Sequence, residues 1–594
     1  MFKQGKILLL FSLVVGSQLV PAGGQVLSAN WVDKQMARLT TRQKIAQMVM
    51  VAMNSSHQTT LASAASMVGD EDARKLQFIE RKNAVEKMIA EENIGGIICF
   101  RGDPKSQVDL LTVLQQLSLD STRLPLLVSQ DAEWGLAMRL SDVPRLPRNM
   151  TLGAIQNKEL LRVFGKWVGY MCRVVGVHVN FAPVVDVNTN AKNPVIGTRA
   201  FHEDPAQVGN NAWYIISGML EENILPCVKH APGHGDTSKD SHKDLPVVKH
   251  SRERLNRVEL HPFLKLIKDF KNRIGLMVAH IAVPALTGNA DLPASLSDKV
   301  IKGTIRTDLD FSGLIFPDAL SMGAITKYYS PVEAALAAFI AGNDILLYVD
   351  DVGQAIDAIE VLVRENKVYA QQLDASVRRI LQVKRQIIEQ DRVMPMDVER
   401  DIFAKEPRIL ALKRTLFEEA VTLVRDERGL LPITNAQAKV GYIKIGGNKD
   451  SLDEVKKLRT GISTGYVGLD QGLPELEAVL KTMADSSVII VAIGRVHDQQ
   501  SPYGNVPEIS PVLQRLLNRI HGERKPVVFS LLASPYALKF FQGESTCLEA
   551  YEDDIDAEIG ALKVIFGLRQ AKGKLPISLV PVDVGSVVKV GRKR

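Results

Sequence analysis

A (β/α)8 TIM-type barrel followed by a smaller α/β layer domain is the fold class this sequence predicts. Three observations point to it. From about residue 30 to 388, short apolar runs alternate with segments of helical period. There are eight such units, and apolar strands each followed by a helix build a parallel sheet. Beyond residue 412 the same alternation resumes over fewer units. An open, doubly wound sheet is the alternative arrangement.

Residues 1–25 have the form of an export signal. Lys3 and Lys6 precede an almost unbroken apolar run from Ile7 to Val15, and small residues follow at Ala22, Gly23 and Gly24. The run is short for a membrane span, and no later stretch is long and apolar enough to be one. The expected location is therefore bacterial and exported, periplasmic or extracellular, with no stable membrane span.

The barrel is expected over residues 30–388. Its strand candidates are Met48–Ala52, Ile94–Phe100, Pro125–Ser129, Val179–Val187, Ile224–Val228, Gly275–Val283, Gly313–Phe316 and Asp344–Val349. Helices are expected at Val85–Glu92, Leu160–Val174, Pro205–Glu222 and Arg254–Asp269. In such a barrel, chemistry collects past the C-terminal ends of the strands. Polar residues follow that rule here: Arg101 and Asp103, Asp131, Asn188, then Lys229 and His230.

Residues 389–411 are charged, contain Pro395 and Pro407, and read as a linker. The second domain is expected over 412–588. A helix is read at Leu412–Leu423, strands at Val440–Ile445, Val488–Ile493, Val527–Leu532 and Cys547–Tyr551, and helices at Pro511–Ile520 and Ala557–Phe566. Gly446, Gly447 and Gly494 are too isolated to form a phosphate-binding loop. Glu508 and Glu552 are alternatives for an acid/base carboxylate, but on position alone each reads as a solvated carboxylate.

A formal charge of +6 is small for 594 residues and gives no reason to expect a nucleic-acid partner. Cys99, Cys172, Cys227 and Cys547 are far apart in mostly apolar runs, so they read as buried thiols.

The stretch from Lys229 to His242 holds the densest chemistry: His230, His234, Asp236, Asp240 and His242, broken by Pro232, Gly233 and Gly235. Taken alone, this loop admits three readings. It is a solvated loop, a His/Asp metal site, or a proton-transfer loop in which Asp240 orients His242 as a general acid/base. Asp318, directly after the seventh strand candidate, is either a helix N-cap or a nucleophile at the lip of the barrel.

Five ordered motifs carry a resemblance. Lys229-His-Ala-Pro-Gly-His-Gly-Asp-Thr…Asp240-Ser-His242 resembles the signature of family 3 glycoside hydrolases of the β-N-acetylglucosaminidase branch. Asp131-Ala-Glu-Trp-Gly-Leu-Ala-Met-Arg139, Phe181-Ala-Pro-Val-Val-Asp186, Asn193-Pro-Val-Ile-Gly-Thr-Arg199 and Phe316-Pro-Asp318-Ala-Leu-Ser-Met are similar to four further family segments. Ala231 and Pro317 depart from the family pattern, which has an aromatic and a small hydroxyl residue there. The later part of the chain resembles the α/β sandwich that follows the barrel in many members.

The resemblance implies a retaining exo-β-N-acetylglucosaminidase that needs no metal or organic cofactor. It implies that Asp318 is the nucleophile, His242 the acid/base and Asp240 its partner. Asp131, Arg139, Arg199, Lys229 and His230 would hold the terminal sugar. The substrates implied are muropeptides or other peptidoglycan fragments, then chitooligosaccharides. The alternatives are a family 3 β-glucosidase or xylosidase, an N-acetylglucosaminide phosphorylase, a metal-dependent hydrolase and a non-catalytic sugar-binding protein.

Overall fold

A computed structural model of the chain describes residues 27–56, 71–497 and 508–579. The expected export signal lies outside these residues. Among the described residues, no helix is long and apolar enough to cross a membrane.

Eight parallel strands form the first sheet: β1 (Val49–Met53), β2 (Gly96–Cys99), β3 (Leu127–Gln130), β4 (Val179–Asn180), β5 (Leu225–Ala231), β6 (Gly275–Val278), β7 (Ile315–Pro317) and β8 (Leu346–Leu347). Neighbours pair in sequence order from β1 to β7, and β8 pairs with β1. The ring closes between β7 and β8. There Asp344 and Ile345 donate to the Ile315 carbonyl at 2.9 and 3.2 Å, and Leu320 donates to Leu347 at 3.0 Å. The expected barrel is therefore the fold, and the open sheet is not.

Near-complete burial explains the unbroken apolar runs, because helices cover one face of each strand and the barrel interior the other. Inside, Phe181 and Phe316 meet edge to face with ring centroids 5.3 Å apart. Outside, Asp204 caps the helix Pro205–Glu221 by accepting from the Gln207 N–H.

Three of the differences from expectation have local reasons. The fourth strand ladder stops at Asn180, since Pro183 has no N–H to donate. The expected helix Arg254–Asp269 is two helices, Arg252–Arg257 and His261–Phe270. Pro262 suits the first turn of the second helix and not the interior of one long one. The helix expected from Leu412 runs from Pro407 to Ala420, and the strand β9 (Thr422–Asp426) follows at once.

The second sheet adds β10 (Val440–Ile445), β11 (Ile462–Val467), β12 (Val488–Ile493), β13 (Val527–Leu531) and β14 (Thr546–Glu549) in the order β11-β10-β12-β13-β14-β9. Only β9 is antiparallel, at one edge. β11 was not foreseen. It is a half-buried edge strand whose Ser463, Thr464 and Gly465 dilute the apolar pattern.

Segments past the C-terminal ends of β13 and β14 meet the barrel. Past β13, the Tyr536 hydroxyl accepts from the Asn188 amide of the barrel. Past β14, Glu552 reaches the barrel segment 145–151.

Candidate active site

β5 carries Lys229 and His230 to the mouth of the barrel, where they are buried. A buried ammonium needs partners. Lys229 Nζ lies 2.7 Å from Asp131 Oδ1 and 2.8 Å from Glu133 Oε1, both on the loop after β3. Arg139 completes the Asp131 pair. Arg199 forks onto Glu133, with Nε to Oε2 at 2.9 Å and an NH2 group to Oε1 at 2.7 Å. The same NH2 group lies 3.3 Å from His230 Nε2. A guanidinium only donates, so Nε2 accepts, and Nδ1 donates to Asp186 Oδ2 at 2.7 Å.

These contacts fix the charges. Burial pushes the Asp131 and Glu133 carboxyls up, and the cations around them more than reverse it. Asp131 falls well below the ordinary carboxylate range through Lys229 and Arg139, and Glu133 falls to about 2 through Arg199 and Lys229. Burial pushes Lys229 down, and Asp131 and Glu133 hold it above its usual value. The result is a largely buried floor of ionised donors and acceptors. Such a surface suits a ligand with many hydroxyls, which needs both kinds of partner.

Asp318 follows β7. Its N–H donates to the Val278 carbonyl at 2.8 Å, and its Oδ1 accepts from Ala319 N–H at 2.9 Å. The carboxylate therefore sits in a strand-end turn beside the floor and does not start a helix; the next one begins only at Gly323. Burial pushes its carboxyl up. The imidazoles of His230 and His280, the Ala319 N–H and Lys229 leave it below its usual value. His280, past β6, accepts from Ser295 and donates to the Ala319 carbonyl at 2.9 Å, which fixes the residue after Asp318.

The loop from Pro232 to His250 folds over from β5. Gly235 lets it lie flat on the segment after β4: a Cβ there would meet the Val187 carbonyl oxygen at 1.9 Å. Asp240 Oδ1 accepts from both the His242 N–H at 2.9 Å and its ring Nδ1 at 2.8 Å. The His242 side chain is 56% exposed. Its backbone is tied to the Asp318 side of the mouth. Gly323 donates to the His242 carbonyl at 3.3 Å, and Ala324 donates to that of Ser241 at 3.1 Å.

All eight residues expected at the site thus line one mouth. The remaining loop groups are engaged separately: His234 with Thr237 and Ser241, Asp236 with His250. Among the described residues, no three His, Cys, Asp or Glu side chains gather as metal ligands.

Sequence reading gave no role to Glu133, Asp186 or His280. The first two lie inside motifs already singled out, and the need of each buried cation for a carboxylate was the available signal. His280 ends an apolar strand run and carried no comparable mark.

Residues 40–383, more than half the chain, match the family model "Glycosyl hydrolase family 3 N terminal domain". The chain belongs to glycosyl hydrolase family 3. It is 27% identical over 551 residues to beta-hexosaminidase A of Pseudoalteromonas piscicida, an alignment covering 83% of this chain and 91% of that one. It is 32% identical over 311 residues to beta-hexosaminidase LpqI of Mycobacterium tuberculosis, covering 50% and 78%. Among solved structures, it resembles a family 3 beta-N-acetylglucosaminidase of Paenibacillus sp. str. FPU-7. That match has a TM-score of 0.75 at 28% identity, over 92% of this chain and all (100%) of that one.

In this family 3 enzyme the expectation that Glu552 is a solvated carboxylate is wrong. Its side chain is 4% exposed and its carboxyl bonds to Arg145, Arg148 and Thr151 of the barrel. Donors from the barrel hold both of its oxygens.

Proposed function

We propose that the chain is a retaining exo-β-N-acetylglucosaminidase. The observation that carries this reading is the meeting at one mouth of Asp318, past β7, and the Asp240–His242 pair, on the loop from β5. A retaining hydrolase needs a nucleophile and an acid/base on opposite sides of the bond it breaks.

In the first step the Asp318 carboxylate attacks the anomeric carbon. The glycosidic C–O bond breaks, and the leaving oxygen takes the proton from His242 Nε2. In the second, water attacks the same carbon, the carbon–Asp318 bond breaks, and Nε2 takes the proton of that water. Asp240 holds Nδ1–H throughout, so the ring keeps one orientation and Nε2 is the nitrogen that exchanges the proton. Asp131, Arg139, Arg199, Lys229 and His230, with Glu133 among them, grip the terminal sugar by its hydroxyls.

The substrate class follows from two supports. The relatives above carry β-hexosaminidase and β-N-acetylglucosaminidase names. The export reading of residues 1–25 would place the enzyme among cell-wall fragments. Muropeptides are therefore the first substrates to offer, and chitooligosaccharides the second.

The test is release of p-nitrophenol from its N-acetyl-β-glucosaminide and its glucoside, followed by product masses from defined muropeptides with and without phosphate. The reading expects turnover of the first aryl substrate, little of the second, and hydrolysis that phosphate does not redirect. Asp318→Ala should abolish turnover, and a wild-type rate in that variant would end the reading.

A further inference from the structure

Glu552 lies in the second domain, yet its bonds converge on one stretch of barrel chain. One oxygen accepts from the Arg148 N–H at 2.8 Å and from the Thr151 hydroxyl at 2.7 Å. The other meets the Arg145 guanidinium at 2.6 Å. The backbone just before it is strained to make that reach. Tyr551, a buried ring, sits at φ 71°, in the left-handed region. Strain of that kind persists where the surroundings over-determine it. Here the surroundings are a Thr422–Tyr551 hydroxyl pair at 2.8 Å and a Glu549 carboxyl oxygen accepting from the Tyr551 N–H at 2.6 Å.

The stretch that Glu552 grips touches the sugar-facing floor from behind. The Asn149 amide donates to the Arg199 carbonyl at 2.7 Å. The Arg148 guanidinium donates to the Thr198 hydroxyl at 3.4 Å and lies 5.2 Å over the Trp134 ring. Thr198 precedes Arg199, and Trp134 follows Glu133. Both halves of the buried Arg199–Glu133 fork therefore rest on the stretch that the second domain holds.

The domains are also joined at Tyr536–Asn188 and at Ser578–Glu203, where the Ser578 N–H donates to the Glu203 carboxylate at 2.7 Å. Neither of those two reaches segment 145–151. The Lys574 N–H also holds the end of the helix Asn149–Ala154, donating to the Ala154 carbonyl at 3.0 Å. The Glu552 contact leads to the fork through a single layer of side chains.

We propose that Glu552 is a positioning residue for glycoside hydrolysis: through segment 145–151 it sets the Arg199–Glu133 fork that receives the terminal sugar. The second domain then acts on turnover without lending a group to the chemistry. The proposal rests on the exo-N-acetylglucosaminidase reading.

The experiment is a double-mutant cycle on the full-length enzyme with p-nitrophenyl N-acetyl-β-glucosaminide. Glu552→Ala should lower kcat/KM by about 10- to 100-fold, the scale of a sub-ångström to 1 Å misplacement. Most of it should appear in KM, because a grip on the sugar is lost and not a reacting group. Arg199→Lys should lose more. In the Arg199→Lys background, Glu552→Ala should change kcat/KM by less than about 2-fold, because residues that act as one unit do not add.

Wild-type kcat/KM in Glu552→Ala, or losses that multiply across the cycle, would overturn the proposal. Should Glu552→Ala fail to fold, Thr151→Val removes one bond from the barrel side and carries the same cycle, with an expected single loss of about 3- to 10-fold. An inert wild type would end the exo-N-acetylglucosaminidase reading and this proposal together, before any variant is compared.

Discussion

Replacing Lys229 by methionine removes the ammonium at the centre of the floor and keeps the length of its stem. In the wild type, Nζ stands 2.7 Å from Asp131 and 2.8 Å from Glu133, both of them buried. Breaking a buried ion pair by deleting one partner costs about 3–5 kcal/mol. Arg139 and the Arg199 fork remain in the variant, one cation for each carboxylate. The loss should therefore fall near the lower end, about 3 kcal/mol. At roughly 2 °C per kcal/mol for a large domain, the barrel transition should drop by about 6 °C.

The pH dependence of that loss has a definite sign. Glu133 ionises near 2 in the folded wild type, below its ordinary value of 4.5, so its contribution is full above about pH 4.5 and is lost as pH falls toward 2. Without Lys229 the depression is smaller. The gap between wild type and Lys229→Met should thus be widest at neutral pH and should narrow from pH 4.5 downward. Thermal unfolding followed by circular dichroism at pH 3, 4, 5 and 7 measures it. A gap of equal size at pH 3 and 7, or one below about 1 kcal/mol at pH 7, would refute the assignment of Lys229 as the buried counter-ion of these carboxylates.

Three further outcomes are expected. His242→Ala should cut kcat/KM on chitobiose by about 10²- to 10⁴-fold, the usual worth of a general acid; the aryl glycoside, whose leaving group needs no proton, should be largely spared, and parallel losses on both substrates would argue against the assignment. Gly323→Ala should push the acid/base loop away, since its Cβ would stand 2.6 Å from the His242 carbonyl oxygen; a fall of up to about 100-fold in kcat with little change in melting temperature would show it, and unchanged kcat would not fit. Lys384 is buried against Gln47 and the Gly95 carbonyl, and burial lowers its amine to about 7 from 10.5, so the wild type gains stability as pH rises from 7 to 10.5; Lys384→Met should lose that slope, and unfolding midpoints at pH 7 and 9.5 that move in parallel for both proteins would contradict it.

The barrel was legible because its strands are buried on both faces, so each is an unbroken apolar run with polar residues directly behind it. The site was legible for the same reason: Asp131, Lys229, His230 and Asp318 all stand where an apolar run ends. β11 was not, because an edge strand has one wet face and carries Ser463, Thr464 and Gly465. β9 was hidden by the helix before it, whose apolar residues run straight into Val421 and Leu423 with one residue between the two elements. The partners of Glu552 were out of reach altogether. They lie 401 to 407 positions away, and nothing local distinguishes a carboxylate that crosses a domain boundary from one in water.

Position on a strand, and not residue type, separates the charges that hold this barrel together from those offered to a ligand. Asp344 and Asp318 are both aspartates beside neighbouring strands. Asp344 precedes β8, and there it is saturated: Arg306 at 2.5 Å, Arg379 and Ser376 each at 2.8 Å, and the Ile315 N–H at 2.8 Å. Lys384 lies at the same end, against the carbonyl of Gly95 just before β2. Asp318 follows β7, and among the described residues its carboxylate has one backbone donor, Ala319, and no direct ion pair. A buried carboxylate saturated by cations has no lone pair left to give; the partly buried Asp318, steadied mainly by imidazoles and a single N–H, keeps an oxygen available. That asymmetry supports the proposal of chemistry at the C-terminal end of the barrel, where the loop from β5 brings the Asp240–His242 pair to the same opening.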